Sequence, residues 1–145
     1  MDWSLEVVSV PVSDIDRAKA FYAEQVGFHI DYDSAFTDDY RVVQLTPRGS
    51  GCSIVIGTGV WASLPGTSPN LARMSPGSLR GTQLVVPDIE AARTELVRNG
   101  VDVSEIYHFE KGGWLTGRGG DWNSFAFFSD PDGNGWVVQE SAARS

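Results

Sequence analysis

His108 and Glu110 stand two positions apart in Ser104–Glu110, a run with strand character, which puts both side chains on one face. An imidazole beside a carboxylate can pass a proton as a general acid or base, or hold a metal ion weakly. The same pair also reads as a hydrogen-bonded cleft histidine without catalytic duty, and the residues alone leave both readings open. His29 directly follows Gly27-Phe28 and reads as an ordinary strand-edge residue. Cys52 is the single cysteine, so no disulfide can form within the chain.

Other patterns lose their chemistry on inspection. Asp130-Pro131-Asp132-Gly133-Asn134-Gly135 matches the first half of an EF-hand loop, but its twelfth position is Ser141 instead of glutamate and strand patterns flank it. A turn is expected there. Gly112–Gly120 lacks the lysine and spacing of a phosphate-binding loop. No serine, histidine and aspartate show the spacing of a nucleophile elbow.

The elements that must position such residues come from an internal repeat. Val12-Ser13-Asp14-Ile15-Asp16-Arg17-Ala18-Lys19 returns 74 positions later as Val86-Pro87-Asp88-Ile89-Glu90-Ala91-Ala92-Arg93, with four identities in eight. Before the first copy, Val8, Val10 and Val12 alternate with Val7, Ser9 and Pro11, the period of a two-faced strand. Ser13 and Asp14 supply N-cap chemistry; Ile15, Ala18, Phe21, Tyr22 and Val26 then form a helical stripe closed by Gly27. In the second copy Asp88 caps, Ile89, Ala92 and Leu96 form the stripe, and Gly100 stops it. Strand-like runs follow at 28–33, 40–46 and 52–57, and again at 104–110, 124–129 and 135–140. The expected fold is α+β: two βαβββ modules, 1–57 and 81–145, joined by a Gly-, Ser- and Pro-rich connector at 58–80. Lys111–Asn123, with its glycines, Trp114 and Trp122, is expected to be a second loop.

A 145-residue chain, 41% apolar and 21% charged, suits one domain. The net charge of −8 disfavours nucleic acid and anionic membranes as partners. Met1-Asp2-Trp3-Ser4-Leu5-Glu6 lacks the basic and apolar regions of a secretory leader, and no apolar run approaches a membrane span. The protein is therefore expected to be cytoplasmic.

The stretch from Val10-Pro11-Val12-Ser13-Asp14-Ile15-Asp16-Arg17-Ala18 through Phe21-Tyr22 to Val26-Gly27-Phe28 resembles the opening of a glyoxalase/bleomycin-resistance/dioxygenase domain, of the vicinal oxygen chelate superfamily. Phe127-Phe128-Ser129-Asp130-Pro131-Asp132-Gly133-Asn134, leading into Trp136-Val137-Val138-Gln139-Glu140, resembles its closing hairpin. The resemblance implies sheets that pair into a curled mixed cup, often completed in a homodimer. In the family's metal enzymes, His and Glu side chains in the cup hold a divalent ion that chelates adjacent substrate oxygens. Carried onto this chain, three of those positions fall at Val7, seven before Asp14, Gly81, seven before Asp88, and Val137, seven after Asp130. The fourth falls within Ser53–Ile56. None of these residues has a carboxylate or imidazole, so no metal and no other cofactor is expected.

Alternation around those positions places Val7, Ser9 and Pro11, then Gly81, Gln83 and Val85, then Val137 and Gln139 toward the cup, with Gln44 as a further wall. Trp61, Trp114 and Trp122, in the loops, could stack on a flat ligand or bury themselves elsewhere. Trp136 faces away from Val137 and is expected in the core. The ligand-binding residues expected from this reading are Val7, Ser9, Gln44, Gln83, Trp114, Trp122, Val137 and Gln139. Together they suit a metal-independent binder of a small organic metabolite or antibiotic. The alternative is an enzyme of the same fold (isomerase, cyclase, lyase or dioxygenase-like), with a displaced or absent metal site, that uses His108 or Glu110 for proton transfer.

Overall fold

The computed structural model describes residues 1–38, 40–57 and 74–144; Trp61 and most of the connector lie outside the described residues. The chain divides into two compact units, Met1–Leu79 with Pro131–Asn134, and Arg80–Asp130 with Gly135–Ser145.

In the first unit β1 (Val7–Ser9) leads to α1 (Ile15–Ala20), which continues as a π-helical turn over Phe21–Val26. Asp14 adopts an extended backbone and its carboxylate accepts the Arg17 N–H at 3.1 Å, satisfying a donor the first turn would otherwise strand. Ala18, Phe21 and Tyr22 are buried, and the Tyr22 ring stacks on Phe28 at 5.7 Å. Gly27, at φ 90°, ends the helix, and the Phe28 N–H closes back onto Tyr22 O. Strands β2 (His29–Ala35), β3 (Arg41–Thr46) and β4 (Ser53–Gly57) complete a sheet of order β1-β4-β3-β2, with β1 parallel to β4 and the others antiparallel. Val43, Leu45, Ile54 and Ile56 fill one face, against which α1 packs.

Unit two repeats the pattern with β5 (Arg80–Val86), α2 (Ile89–Arg98), β6 (Tyr107–Glu110), β7 (Gly113–Thr116), β8 (Phe125–Ser129) and β9 (Gly135–Glu140). Its sheet runs β5-β9-β8-β6-β7. Asp88 caps α2 by accepting the Ala91 N–H at 3.0 Å, and Ile89 and Leu96 are buried. Under α2 lie Ala126, Phe128, Trp136 and Val138, with Phe128 and Trp136 stacked at 6.1 Å. Trp136, 2% exposed, is core as expected.

The expected loop at 111–123 is corrected: it contains β7, paired antiparallel to β6. Lys111 and Gly112 make a two-residue turn at φ 50° and 79°, the doubly positive geometry that matches strand twist. A lysine at the first of these positions gives no turn signal, so the hairpin was hidden. Pro131–Asn134 is a turn, and it belongs to the first unit. There Asp132 accepts the Ser13 N–H at 3.0 Å and the Ser13 hydroxyl, while Asn134 donates to Pro11 O and accepts the Leu79 N–H. Among the described residues no helix is long and apolar enough to cross a membrane.

Candidate functional site

Directly paired strand residues share a face, so the register of the second sheet sorts its side chains. Gln83 pairs with Val137 and Val85 with Gln139; Val137 pairs with Phe127 and Gln139 with Phe125. Phe125 pairs with Tyr107, and next to Tyr107 on the same face Phe109 pairs with Trp114. The face opposite α2 is therefore a row of amides and aliphatics beside a field of aromatic rings. The Trp114 indole meets Phe109, Phe125 and Phe127 edge to face, with centroids 5.3, 5.4 and 6.4 Å away. Burial would be the ordinary fate of such rings. Here Trp114 is 54% exposed, Phe109 47% and Phe127 38%.

The two glutamines are ordered by a one-way chain. Gln83 Nε2 donates to Gln139 Oε1, and Gln139 Nε2 donates to Trp122 O at 2.7 Å. Among the described residues Gln83 Oε1 is left without a donor. Trp122 holds a left-handed φ of 64°, unusual for a bulky side chain, pinned by its N–H on Glu140 O. Five expected ligand-binding positions thus gather on or beside one face: Gln83, Trp114, Val137, Gln139 and Trp122. Trp114 arrives on β7, not on a loop.

His108 and Glu110 lie on the other face of the same sheet, because alternation sets them against Tyr107 and Phe109. Gly117 O can only accept, so the His108 Nδ1 at 2.8 Å carries the proton. Nε2 lies 3.2 Å from Glu110 Oε2, within hydrogen-bonding reach. The structure brings this pair together, but not with the aromatic face.

In the first sheet, Val7 pairs with Ser53, Ser9 with Val55 and Gln44 with Val55, so Val7, Ser9 and Gln44 share the face turned away from α1. That face carries a polar network the sequence reading missed. Asp31 follows His29 on the face of Thr46 and Gln44, and a register shift between Ile30 and Tyr32 leaves it as an unpaired bulge there. Asp31 Oδ2 accepts the Thr46 hydroxyl at 2.5 Å and Gln44 Nε2 at 3.0 Å. These bonds, Thr46 first, hold its pKa below the ordinary aspartate value. Simple alternation would have set Tyr32 with Ile30; the extra residue places it opposite Gln44, whose Oε1 accepts the Tyr32 hydroxyl.

The residues at the positions where metal-binding relatives hold their ion do not fit one. Val7 and Val137 offer no donor; Gly81, at φ 81° where β5 slips register against β9, has no side chain. Ser53, beside Val7, engages its hydroxyl with Thr46 at 2.6 Å. Among the described residues no three His, Cys, Asp or Glu side chains gather around a common point.

Residues 4–138 match the model of the Glyoxalase/Bleomycin resistance protein/Dioxygenase superfamily. No curated protein matches the chain significantly. Among solved structures, TnmS3, an antibiotic binding protein from Streptomyces sp. CB03234, is 33% identical, covers 97% of each chain and superimposes with a TM-score of 0.71. A glyoxalase/bleomycin resistance protein from the same strain is 34% identical over 94% of this chain and 99% of its own, TM-score 0.68. A superfamily member from Sphaerobacter thermophilus shares the fold at 24% identity, covering 97% of this chain and 98% of its own, TM-score 0.70.

Proposed function

Since the chain belongs to the glyoxalase/bleomycin resistance/dioxygenase superfamily, we propose that it is a metal-independent binding protein for a small, flat organic metabolite or antibiotic. One observation carries this reading: the solvent-facing aromatic field around Trp114, bordered by the Gln83–Gln139 amides. Exposed rings on a rigid sheet offer a planar ligand stacking area without the cost of ordering a loop. Gln83 Oε1, which no donor among the described residues meets, accepts a ligand N–H or O–H, which sets orientation. Val7, Ser9 and Gln44 present the corresponding face of the first sheet. The 33% identity to an antibiotic-binding protein supports the ligand class. We place this binder in the cytoplasm, as a homodimer.

Titration of flat polycyclic compounds, followed by tryptophan fluorescence and thermal shift with chelator present, tests this. Saturable binding is expected, weakened roughly tenfold or more by Trp114→Ala. Binding that needs an added divalent ion, or no binding by any flat compound, would refute the proposal.

A second reading, an enzyme using proton transfer, is favoured only by the His108–Glu110 contact. Turnover of an identified substrate that survives His108→Ala would remove it.

A further inference from the structure

We propose that Asp31, on the exposed face of the first sheet, is a recognition site for an organic ammonium group. The inference stands on first-unit residues and goes beyond the aromatic face of the second.

Proton bookkeeping defines what the site can take. The single Thr46 hydroxyl proton goes to Asp31, so the 2.6 Å bond between Thr46 and Ser53 must be donated by Ser53. On the other side Tyr32 donates to Gln44 Oε1, and Gln44 Nε2 donates to Asp31. Both arms of the network, Ser53–Thr46 and Tyr32–Gln44, point their protons at one carboxylate. Such a network stabilises negative charge: its three hydroxyl protons are all spent within it, and the carboxylate at its centre can only accept. A ligand group must therefore bring its own donor, and a positive charge makes that bond stronger.

Geometry narrows the class. Oδ2 is already doubly engaged, whereas among the described residues the one charged neighbour of Oδ1 is His29 Nε2 at 4.0 Å, beyond hydrogen-bonding distance. A guanidinium seeks both oxygens of a carboxylate, but an ammonium needs only one. The neighbouring Asp33, on the opposite face, is saturated by Arg41 and Lys19, while Asp31 has no lysine or arginine partner among the described residues. His29, 77% exposed, is a weakly held and screened competitor. The Tyr32 ring, 44% exposed and tethered to Gln44, supplies an aromatic wall on which a cation can rest. The Asp31 side chain is 26% exposed, so the oxygen is reachable without being fully hydrated.

Calorimetric titration with cyclohexylammonium and cyclohexanol tests the assignment. The pair differ in the charged donor and lack an aromatic ring, so failure here leaves the aromatic-face reading untouched. Cyclohexylammonium is expected to bind at least about tenfold more tightly than cyclohexanol, and Asp31→Asn to erase most of that difference. Carbon-detected NMR of the unaltered protein gives a second readout, in which the ammonium should shift the Asp31 carboxyl signal and the Thr46 amide. Equal binding of the two probes, an unaffected Asp31→Asn variant, or shifts that cluster elsewhere would each overturn the proposal.

Discussion

Trp114 and Phe125, on neighbouring parts of one sheet, meet at an interplanar angle of 89° with centroids 5.4 Å apart, yet the indole stays more than half exposed. The ring is held by edge contacts and not by burial, so its removal should be cheap for folding. Trp114→Ala is expected to cost about 1 kcal/mol, near the worth of one or two aromatic pairs. Trp136→Ala, on the buried face of the same sheet, should cost about 3–5 kcal/mol. Urea midpoints of the two variants check the contrast; equal losses would mean that the aromatic face is part of the core.

Asp33 contributes strongly to the pH dependence of the first unit. Arg41 bonds it at 3.0 and 2.8 Å and Lys19 at 2.8 Å, and these partners, Arg41 first, hold its pKa well below the usual carboxylate range. A carboxyl lowered on folding contributes stability above its unfolded value of about 3.9, and loses it as pH falls toward the folded one. Asp33→Asn is expected to cost about 1–2 kcal/mol at pH 7 and distinctly less at pH 2, where the loss is still under way. Denaturation midpoints across pH 2–7 measure the difference, which should shrink steadily below pH 4.

Glu140 ties the end of β9 to the start of α2. Its buried carboxylate accepts the Ile89 N–H at 2.9 Å and Arg118 at 2.5 Å, a bond that also raises the Arg118 pKa. Glu140→Ala strands the Ile89 donor inside the protein and should lower stability by about 2–3 kcal/mol. Hydrogen exchange should show the loss first as weakened protection over the opening turn of α2.

Gly77 is irreplaceable for a steric reason. Its φ is 81°, and a Cβ there would collide with the Asp132 carbonyl. The turn at Pro131–Asn134 must then move away from Pro11, which Asn134 bonds at 2.8 Å. Gly77→Ala is expected to cost about 3 kcal/mol, read from thermal melts. Gly112→Ala strains φ at the β6–β7 turn but meets no neighbour, so it should cost less.

Much of this molecule is legible in its sequence, because the governing interactions are local. Asp14 and Asp88 cap their helices by bonding backbone three residues away, and Gly27 takes the left-handed position that its place after the stripe implied. The period of two that sets Gln83, Val137 and Gln139 on a face apart from Trp136 is a property of the strand itself. Pairing across strands is different, because it depends on partners distant in the chain. Only tertiary structure could reveal that Lys111-Gly112 turns a hairpin and lifts Trp114 onto the aromatic face. It alone could set His108 and Glu110 behind that face, since which side of β6 meets α2 is decided by the register with β8. Tyr32 makes the point most sharply. One extra residue, inserted where β2 pairs β3, moves Tyr32 off the face of Ile30 and sets it opposite Gln44, beside Asp31, and no alternation within His29–Ala35 could announce it.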